Sequence, residues 1–216
     1  MKKRSEPRKG QTQQRQSAVR YSFAPGQGGV LNLQVDFRFA RSPETYYYAD
    51  ALSISVDREM GVAILAFGRT KPDGGLRDRL DVVMPAISLF GGFLSSAITI
   101  EPTIDQQLQM LKLRPVNRTV AGVVQSRGTL YANLIFVGTG GAESCLDFYY
   151  LPVRDIHFAR LVPGSEISLQ PIVRIPTSPV LLKHMINLCR EFADELQLRV
   201  DQKRSPERAK ERAKVS

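Results

Sequence analysis

Two stretches of this 216-residue chain repeat the same layout, and the repetition constrains the fold more than any single motif does. In the first stretch Tyr48-Ala49-Asp50 opens an apolar run, and residues 82–85 (Val-Val-Met-Pro) follow after a Gly/Asp turn. In the second stretch Tyr131-Ala132-Asn133 opens a similar run, and residues 173–176 (Val-Arg-Ile-Pro) follow after a Pro-Gly turn. Each copy of a duplicated unit must bury an apolar face, and its sister copy is the nearest complementary surface. We therefore expect two similar units.

The composition is that of an ordinary globular protein, with 43% hydrophobic and 24% charged residues. No run of about eighteen apolar residues occurs, so the sequence predicts no transmembrane helix. Residues 1–20 lack the apolar core of a signal peptide. These features together predict a cytoplasmic protein that does not act on a membrane.

The formal net charge of +9 is concentrated at the two ends of the chain. Residues 1–20 carry +6 and residues 199–216 carry +4, whereas residues 21–198 carry −1. Basic arms attract phosphates or acidic protein surfaces without reading sequence, but they also occur as solubilising tails with no dedicated partner, and both interpretations stay open. The candidate phosphate or partner contacts are the basic side chains of these arms: Lys2, Lys3, Arg4, Arg8, Lys9, Arg15, Lys203, Arg204, Arg208, Lys210 and Arg212.

Hydrophobic periodicity predicts an α+β fold of two similar antiparallel β-sheet units, each followed by a helix, with disordered basic termini. The expected divisions are a disordered basic arm (1–20), a first unit (21–114), a second unit (115–198) and a basic tail (199–216). Predicted strands include 30–39, 46–56, 60–67, 79–84, 116–125, 131–137, 144–151 and 167–175. We expect Pro171 to place the last of these at a sheet edge or a bulge.

Residues 86–100 fit two structures. Residues 90–93 (Phe-Gly-Gly-Phe) are typical of a hairpin turn, whereas alignment of the two repeats favours a helix in which small residues pack closely. We favour the helix, and we expect Pro102 to begin a separate short one. The strongest helix prediction starts at Ser178-Pro179, where a capping serine and a first-turn proline precede an apolar stripe.

No catalytic, cofactor or metal motif emerges from the chain. Residues 138–143 (Gly-Thr-Gly-Gly-Ala-Glu) lack the Lys-Ser/Thr of a phosphate loop and are typical of a hairpin turn. The two histidines, His157 and His184, are interpreted as packed side chains, and the two cysteines, Cys145 in a strand and Cys189 in a helix, as reduced thiols.

Two polar residues and two aromatic clusters have structural explanations. Asp50 and Asn133 occupy matching places after Tyr-Ala, which favours a role in starting a strand. In residues 46–48 and 149–150, alternation buries one tyrosine and exposes its neighbour. Cross-strand packing is favoured over base stacking for both clusters.

The second repeat resembles the small prokaryotic proteins of domain of unknown function 3467. The residues that carry the likeness are Tyr131-Ala132-Asn133-Leu134, Leu146-Asp147-Phe148, the strand at 171–175 and the helix opening Ser178-Pro179. The likeness covers residues 125–197. It extends more faintly to 46–97, where Asp50 replaces Asn and Ile87-Ser88 stands in place of Ser-Pro. It implies a prokaryotic protein with a strand–strand–strand–helix unit, and it implies no activity.

We therefore predict a non-enzymatic binding or assembly module without a cofactor. It would act through sheet edges or helix faces on a protein partner or on a second copy of itself. The alternative is an accessory nucleic-acid-binding protein whose basic arms hold phosphates.

Overall fold

A computed structural model describes residues 17–25, 31–36, 41–73, 75–114, 126–140, 143–155 and 167–195. For the first two ranges it describes only the backbone. The strands are β1 (Ser17–Pro25), β2 (Leu31–Asp36), β3 (Ala51–Asp57), β4 (Val62–Thr70), β5 (Leu76–Pro85), β6 (Ser126–Tyr131), β7 (Leu134–Gly140), β8 (Glu143–Tyr150) and β9 (Ile167–Thr177). The helical elements are a π-helical segment (Ser88–Phe93), α1 (Leu94–Met110) and α2 (residues 179–195). The α+β class is confirmed.

Contacts divide the chain into two compact units. The smaller unit comprises residues 1–40 and 152–170; in it β1 pairs antiparallel with β2, and residues 17–19 pair with 167–169 at the start of β9. Since β1 begins at Ser17, residues 17–20 form a strand and the prediction of a disordered arm is wrong for them. The predicted strand at 116–125 lies outside the described residues. The predicted division at 114/115 stays a prediction.

The larger unit comprises residues 41–151 and 171–216, and it contains the first sheet, in the order β3-β4-β5-β6. Strands β3, β4 and β5 pair antiparallel, whereas β5 and β6 are parallel, with Val83 opposite Tyr131. The prediction of purely antiparallel sheets is therefore wrong here. The reason is the long connection through α1, since a crossover can return the chain in the parallel direction and a hairpin cannot.

The second sheet of the larger unit is formed by β7, β8 and β9, which are antiparallel. Residues 45–49 lie parallel along the other side of β9: the Tyr47 N–H donates to the Arg174 carbonyl at 3.0 Å and the Arg174 N–H to the Thr45 carbonyl at 2.9 Å. Because β9 has hydrogen-bonded neighbours on both sides, the prediction that Pro171 places it at a sheet edge is wrong, whereas the alternative of a bulge at Pro171 stays a prediction. Pro171 precedes the residues that pair with 45–49.

Each sheet is completed by a strand from the other sequence repeat. Residues 45–49 lead into β3 of the first sheet but pair with β9 of the second. Strand β6 leads towards β7 of the second sheet but pairs with β5 of the first, and the Ala132 N–H extends this pairing to the Val83 carbonyl at 3.0 Å. The prediction of one continuous strand from 131 to 137 is wrong, because the chain leaves the first sheet before β7 begins.

Asp50 and Asn133 make corresponding contacts where the chain passes from one sheet to the other. The Asp50 carboxylate accepts the Thr70 N–H at 2.8 Å, and the Asn133 side-chain carbonyl accepts the Leu151 N–H at 2.8 Å. Asn133 also donates its amide to the Leu151 carbonyl at 2.7 Å. From positions just before β3 and β7, these side chains satisfy backbone groups at the end of β4 and just after β8, which confirms their structural interpretation.

Residues 86–100 are helical, so the hairpin alternative is wrong. Pro102 lies inside α1 and does not begin a new helix. Its position is exposed, as is that of Ile98 one turn earlier, so water can satisfy the carbonyl that proline leaves without a donor. The small residues 91, 92, 95 and 96 were expected to pack closely, but all four are exposed, and the Ser95 hydroxyl donates to the Gly91 carbonyl instead.

Helix α2 starts as predicted, with the Leu181 N–H donating to the Ser178 hydroxyl at 3.2 Å. Its buried face is formed by Leu181, Leu182, Met185, Ile186 and Cys189, which join one core cluster with both sheets and α1. Phe67 and Phe148 meet edge to face in this cluster, with ring centroids 5.7 Å apart. The two repeats therefore share a single core.

Candidate functional site

The structure does not place the basic arm residues predicted to contact phosphate or a partner. All eleven, from Lys2 to Arg15 and from Lys203 to Arg212, lie outside the described residues. The described part of the chain therefore neither brings them together nor separates them, and their role stays a prediction.

His184 forms no catalytic arrangement with another described residue. His184 is buried on α2, which confirms that it is a packed side chain, and burial lowers its pKa. Its Nε2 atom has no hydrogen-bond partner among the described residues. His157 lies outside them. Within the described ranges, no group of three His, Cys, Asp or Glu side chains is arranged to hold a metal ion.

Both cysteines are thiols whose surroundings disfavour the reactive thiolate. Cys189 is buried on α2, and burial raises its pKa to about 12. Cys145 lies half-buried on β8, where burial and then the Asp147 carboxylate raise its pKa. A nucleophilic cysteine needs the opposite shift, so neither thiol is prepared for covalent chemistry.

The alternation of tyrosines along residues 46–48 is confirmed. Tyr47 is buried in the shared core, whereas Tyr46 is 57% exposed and Tyr48 is 66% exposed. Because successive side chains of an extended segment point to opposite sides, the two exposed rings share the outer face of the second sheet. Tyr149 and Tyr150 repeat the pattern at the end of β8, where Tyr149 is the buried member.

Beside the two exposed rings lies an open cleft with a volume of about 430 Å³, which we call the tyrosine cleft. Its lining is formed by Tyr46, Tyr48, Gly138, Thr139, Gly140, Glu143, Ser144, Cys145, Arg174 and Pro176. All of these residues belong to the larger unit. The cleft crosses the outer face of the second sheet, from residues 45–49 to the hairpin between β7 and β8.

An ion pair forms the middle of this face. Arg174 donates from Nε to Asp147 Oδ1 at 2.6 Å and from Nη2 to Asp147 Oδ2 at 2.5 Å. The Asp147 side chain is only 4% exposed, and its hydrogen bonds raise the pKa of Arg174 further above its ordinary value. The guanidinium also lies 5.9 Å from the Tyr46 ring centroid. Arg174 is therefore held in place by Asp147 and covered by Tyr46.

The opposite end of the cleft has little space beside Gly138 and carries the acidic side chain of Glu143. Gly138 lies directly across from Cys145, and a Cβ atom at position 138 would be 2.8 Å from the Cys145 sulfur. Only glycine therefore fits there without displacement. Glu143 at the end of the hairpin is exposed and has no ion-pair partner among the described residues.

Asp78 holds residues 45–49, the segment that carries the exposed tyrosines, from the opposite side, where Tyr47 points into the core. The Tyr47 hydroxyl donates to Asp78 Oδ1 at 2.8 Å, Arg69 Nε donates to the same atom at 2.8 Å, and Arg127 Nη2 lies 2.8 Å from Oδ2. These contacts, led by the hydrogen bonds from Arg69, lower the pKa of Asp78 to about 2. Asp78 thus ties residues 45–49 to β4, β5 and β6.

Sequence reasoning anticipated the exposed tyrosines but not the cleft. Arg174 and Asp147 are oppositely charged residues inside apolar strands, and this pattern could have indicated that they form an ion pair. That they meet on one face of the second sheet could be known only from its strand order.

Comparison with protein-family models, curated proteins and solved structures finds no match to this chain. The resemblance to domain of unknown function 3467 therefore stays a prediction. Among the described residues, no helix is long and apolar enough to cross a membrane.

Proposed function

We propose that this chain is a non-enzymatic binding or assembly module and that its tyrosine cleft holds a segment of a partner protein. The observation that carries the proposal is the joint exposure of Tyr46 and Tyr48 beside a cleft in which the lining residue Arg174 is already held in place by Asp147. Tyrosine is enriched at protein interfaces because its ring offers a large contact area with few rotatable bonds. The volume is within the range of ligand-binding clefts.

The rigidity of the tyrosine-bearing segment supports the same proposal. Residues 45–49 are held by backbone hydrogen bonds to β9 on one side, and the Tyr47 hydroxyl is held by Asp78 on the other face. A surface that is ordered before it binds loses less conformational entropy on association. The segment that carries the two exposed rings is therefore already held in position before a partner binds.

We further propose that the two repeats derive from an internal duplication. The repeated succession of three strands and a helix supports it, and so do the matching contacts of Asp50 with Thr70 and of Asn133 with Leu151. If the segments 46–97 and 129–190 are copies, Tyr131 of the first sheet is the counterpart of Tyr48. Tyr131 is also 66% exposed, which makes it a matched control.

The alternative of an accessory nucleic-acid-binding protein rests on the basic arms alone, which lie outside the described residues. The cytoplasmic and prokaryotic assignments likewise stay predictions from the sequence.

Replacing both exposed tyrosines with alanine is expected to weaken peptide binding by at least about tenfold, because truncating a central aromatic contact commonly costs over 1 kcal/mol. The measurement begins with a phage-displayed random heptapeptide library selected on the full-length chain. Affinities of the enriched peptides are then compared between the full-length chain and the Tyr46→Ala/Tyr48→Ala variant by fluorescence anisotropy.

The matched control is Tyr131→Ala, which removes an equally exposed tyrosine from the other sheet and is expected to change these affinities by less than about twofold. Unchanged thermal midpoints would show that the variants remain folded. If enriched peptides bind the double variant as tightly as the original chain, the tyrosine cleft is not the binding site and the proposal is wrong.

A further inference from the structure

The charges of the tyrosine cleft indicate which kind of segment it accepts. The single cationic side chain in the lining, Arg174, is neutralised by Asp147, which leaves the exposed carboxylate of Glu143 as the uncompensated charge among the described lining residues. The described lining of the cleft therefore carries one net negative charge. An incoming anion would meet Glu143 without gaining a free cation, whereas a cation would gain a partner.

The two tyrosines add a second attraction for cations. An aromatic face attracts an ammonium or guanidinium group within about 6 Å of its centre, and the interaction strengthens when water is excluded. Tyr46 already shows this preference inside the chain, since its ring packs against the Arg174 guanidinium. Tyr48 follows two residues later on the same face and is more exposed.

The shape of the cleft sets the length of the segment. Neighbouring strands lie about 4.8 Å apart, so the three steps from residues 45–49 across β9 and β8 to β7 cover about 14 Å. An extended chain advances about 3.3 Å per residue, so about four residues span this distance. A cationic side chain near either end would reach the tyrosines or Glu143.

We propose that the tyrosine cleft binds an extended peptide segment of about four residues that carries lysine or arginine. This inference rests on the proposed function and specifies the chemistry of the partner. Single-stranded nucleic acid is the competing occupant, because bases also stack on tyrosine. Its phosphates would approach Glu143, and Arg174 already has its carboxylate partner, so the charges favour the cationic peptide.

The test measures the binding of three fluorescein-labelled hexapeptides to the full-length chain. The peptides share the same flanking glycine and alanine residues, and their two central residues are Arg-Arg, Gln-Gln or Glu-Glu. The arginine peptide is expected to bind at least about fivefold more tightly than the glutamine peptide, and the glutamate peptide most weakly. Glu143→Gln is expected to reduce this preference about threefold, and Glu143→Lys to abolish it. The matched control is Glu59→Gln, an exposed glutamate in the turn between β3 and β4, which is expected to change nothing.

Each outcome decides between the inference and the function on which it rests. Equal affinities for the three hexapeptides, or a preference unchanged in Glu143→Lys, would overturn the cationic preference. Tyrosine-dependent binding of library peptides would then still support the proposed function. Displacement of the labelled arginine peptide by the same peptide without label, but not by a mixed-sequence 12-nucleotide DNA, supports the inference. DNA that binds tightly and depends on Tyr46 and Tyr48 would overturn it.

Discussion

Exchanging Asp78 for asparagine is expected to lower the free energy of unfolding by about 3 kcal/mol at pH 7, as measured by urea denaturation. Asp78 is buried and receives hydrogen bonds from Tyr47 and Arg69 and an ion pair from Arg127. Breaking a buried charge pair costs about 3–5 kcal/mol, and we use the lower part of that range because both arginines are partly exposed. The matched control Asp194→Asn, at an exposed position of α2, is expected to change stability by less than about 0.5 kcal/mol.

The same variant should also alter the pH dependence of stability. The folded-state pKa of Asp78 is about 2, below the ordinary value near 3.9, so its contribution is present above about pH 4 and is lost as the pH falls towards 2. The stability difference between the original chain and Asp78→Asn should therefore shrink between pH 5 and pH 2. A difference that stays constant over this interval would show that the carboxylate charge is not what stabilises the fold.

Truncating Phe148 to alanine is expected to lower the free energy of unfolding by about 4 kcal/mol, the middle of the range for a buried phenylalanine. Phe148 is fully buried on β8, and its ring meets that of Phe67 on β4, so the change opens a cavity between the two sheets. Phe136→Ala, on the exposed side of β7, is the matched control and is expected to cost less than about 1.5 kcal/mol.

A double-mutant cycle isolates the contact between the two sheets. Phe67→Ala and Phe148→Ala together are expected to cost less than the sum of the single changes by about 1 kcal/mol, since each removes the partner of the other ring. Additive losses would mean that the two rings stabilise their own sheets independently and that the shared core does not couple the repeats.

Much of the secondary structure could be predicted because local patterns determine it. Alternation identified β2, the apolar pattern identified β4 as a central strand, and Ser178-Pro179 identified the start of α2. Pro102 was misassigned because a proline ends a helix only where the lost hydrogen bond cannot be replaced, and exposure is not visible in a single sequence.

The exchange of strands could not be predicted from the sequence. Residues 45–49 and β6 carry similar alternating patterns, so each would suit the edge of either sheet, and the choice depends on tertiary contacts such as those of Asp78. The tyrosine cleft depends on the same choice. Tyr46 lies beside Arg174 only because its segment pairs with β9, and a Cβ atom at position 138 would crowd the Cys145 sulfur only because Cys145 faces it.

The exchange of strands positions the tyrosine cleft, and an engineered disulfide tests this exchange directly. Val83 and Tyr131 are paired across parallel strands β5 and β6, and neighbouring strands lie about 4.8 Å apart, within the Cα separation that a disulfide accepts. Mild oxidation of the Val83→Cys/Tyr131→Cys variant is expected to give an intramolecular bond, which peptide mass mapping distinguishes from bonds to Cys145 or Cys189. The matched variant Tyr131→Cys/Arg174→Cys, in which β6 would have to pair within its own repeat, is expected to stay reduced at these positions. A bond between 131 and 174 with none between 83 and 131 would contradict the exchange and the cleft built on it.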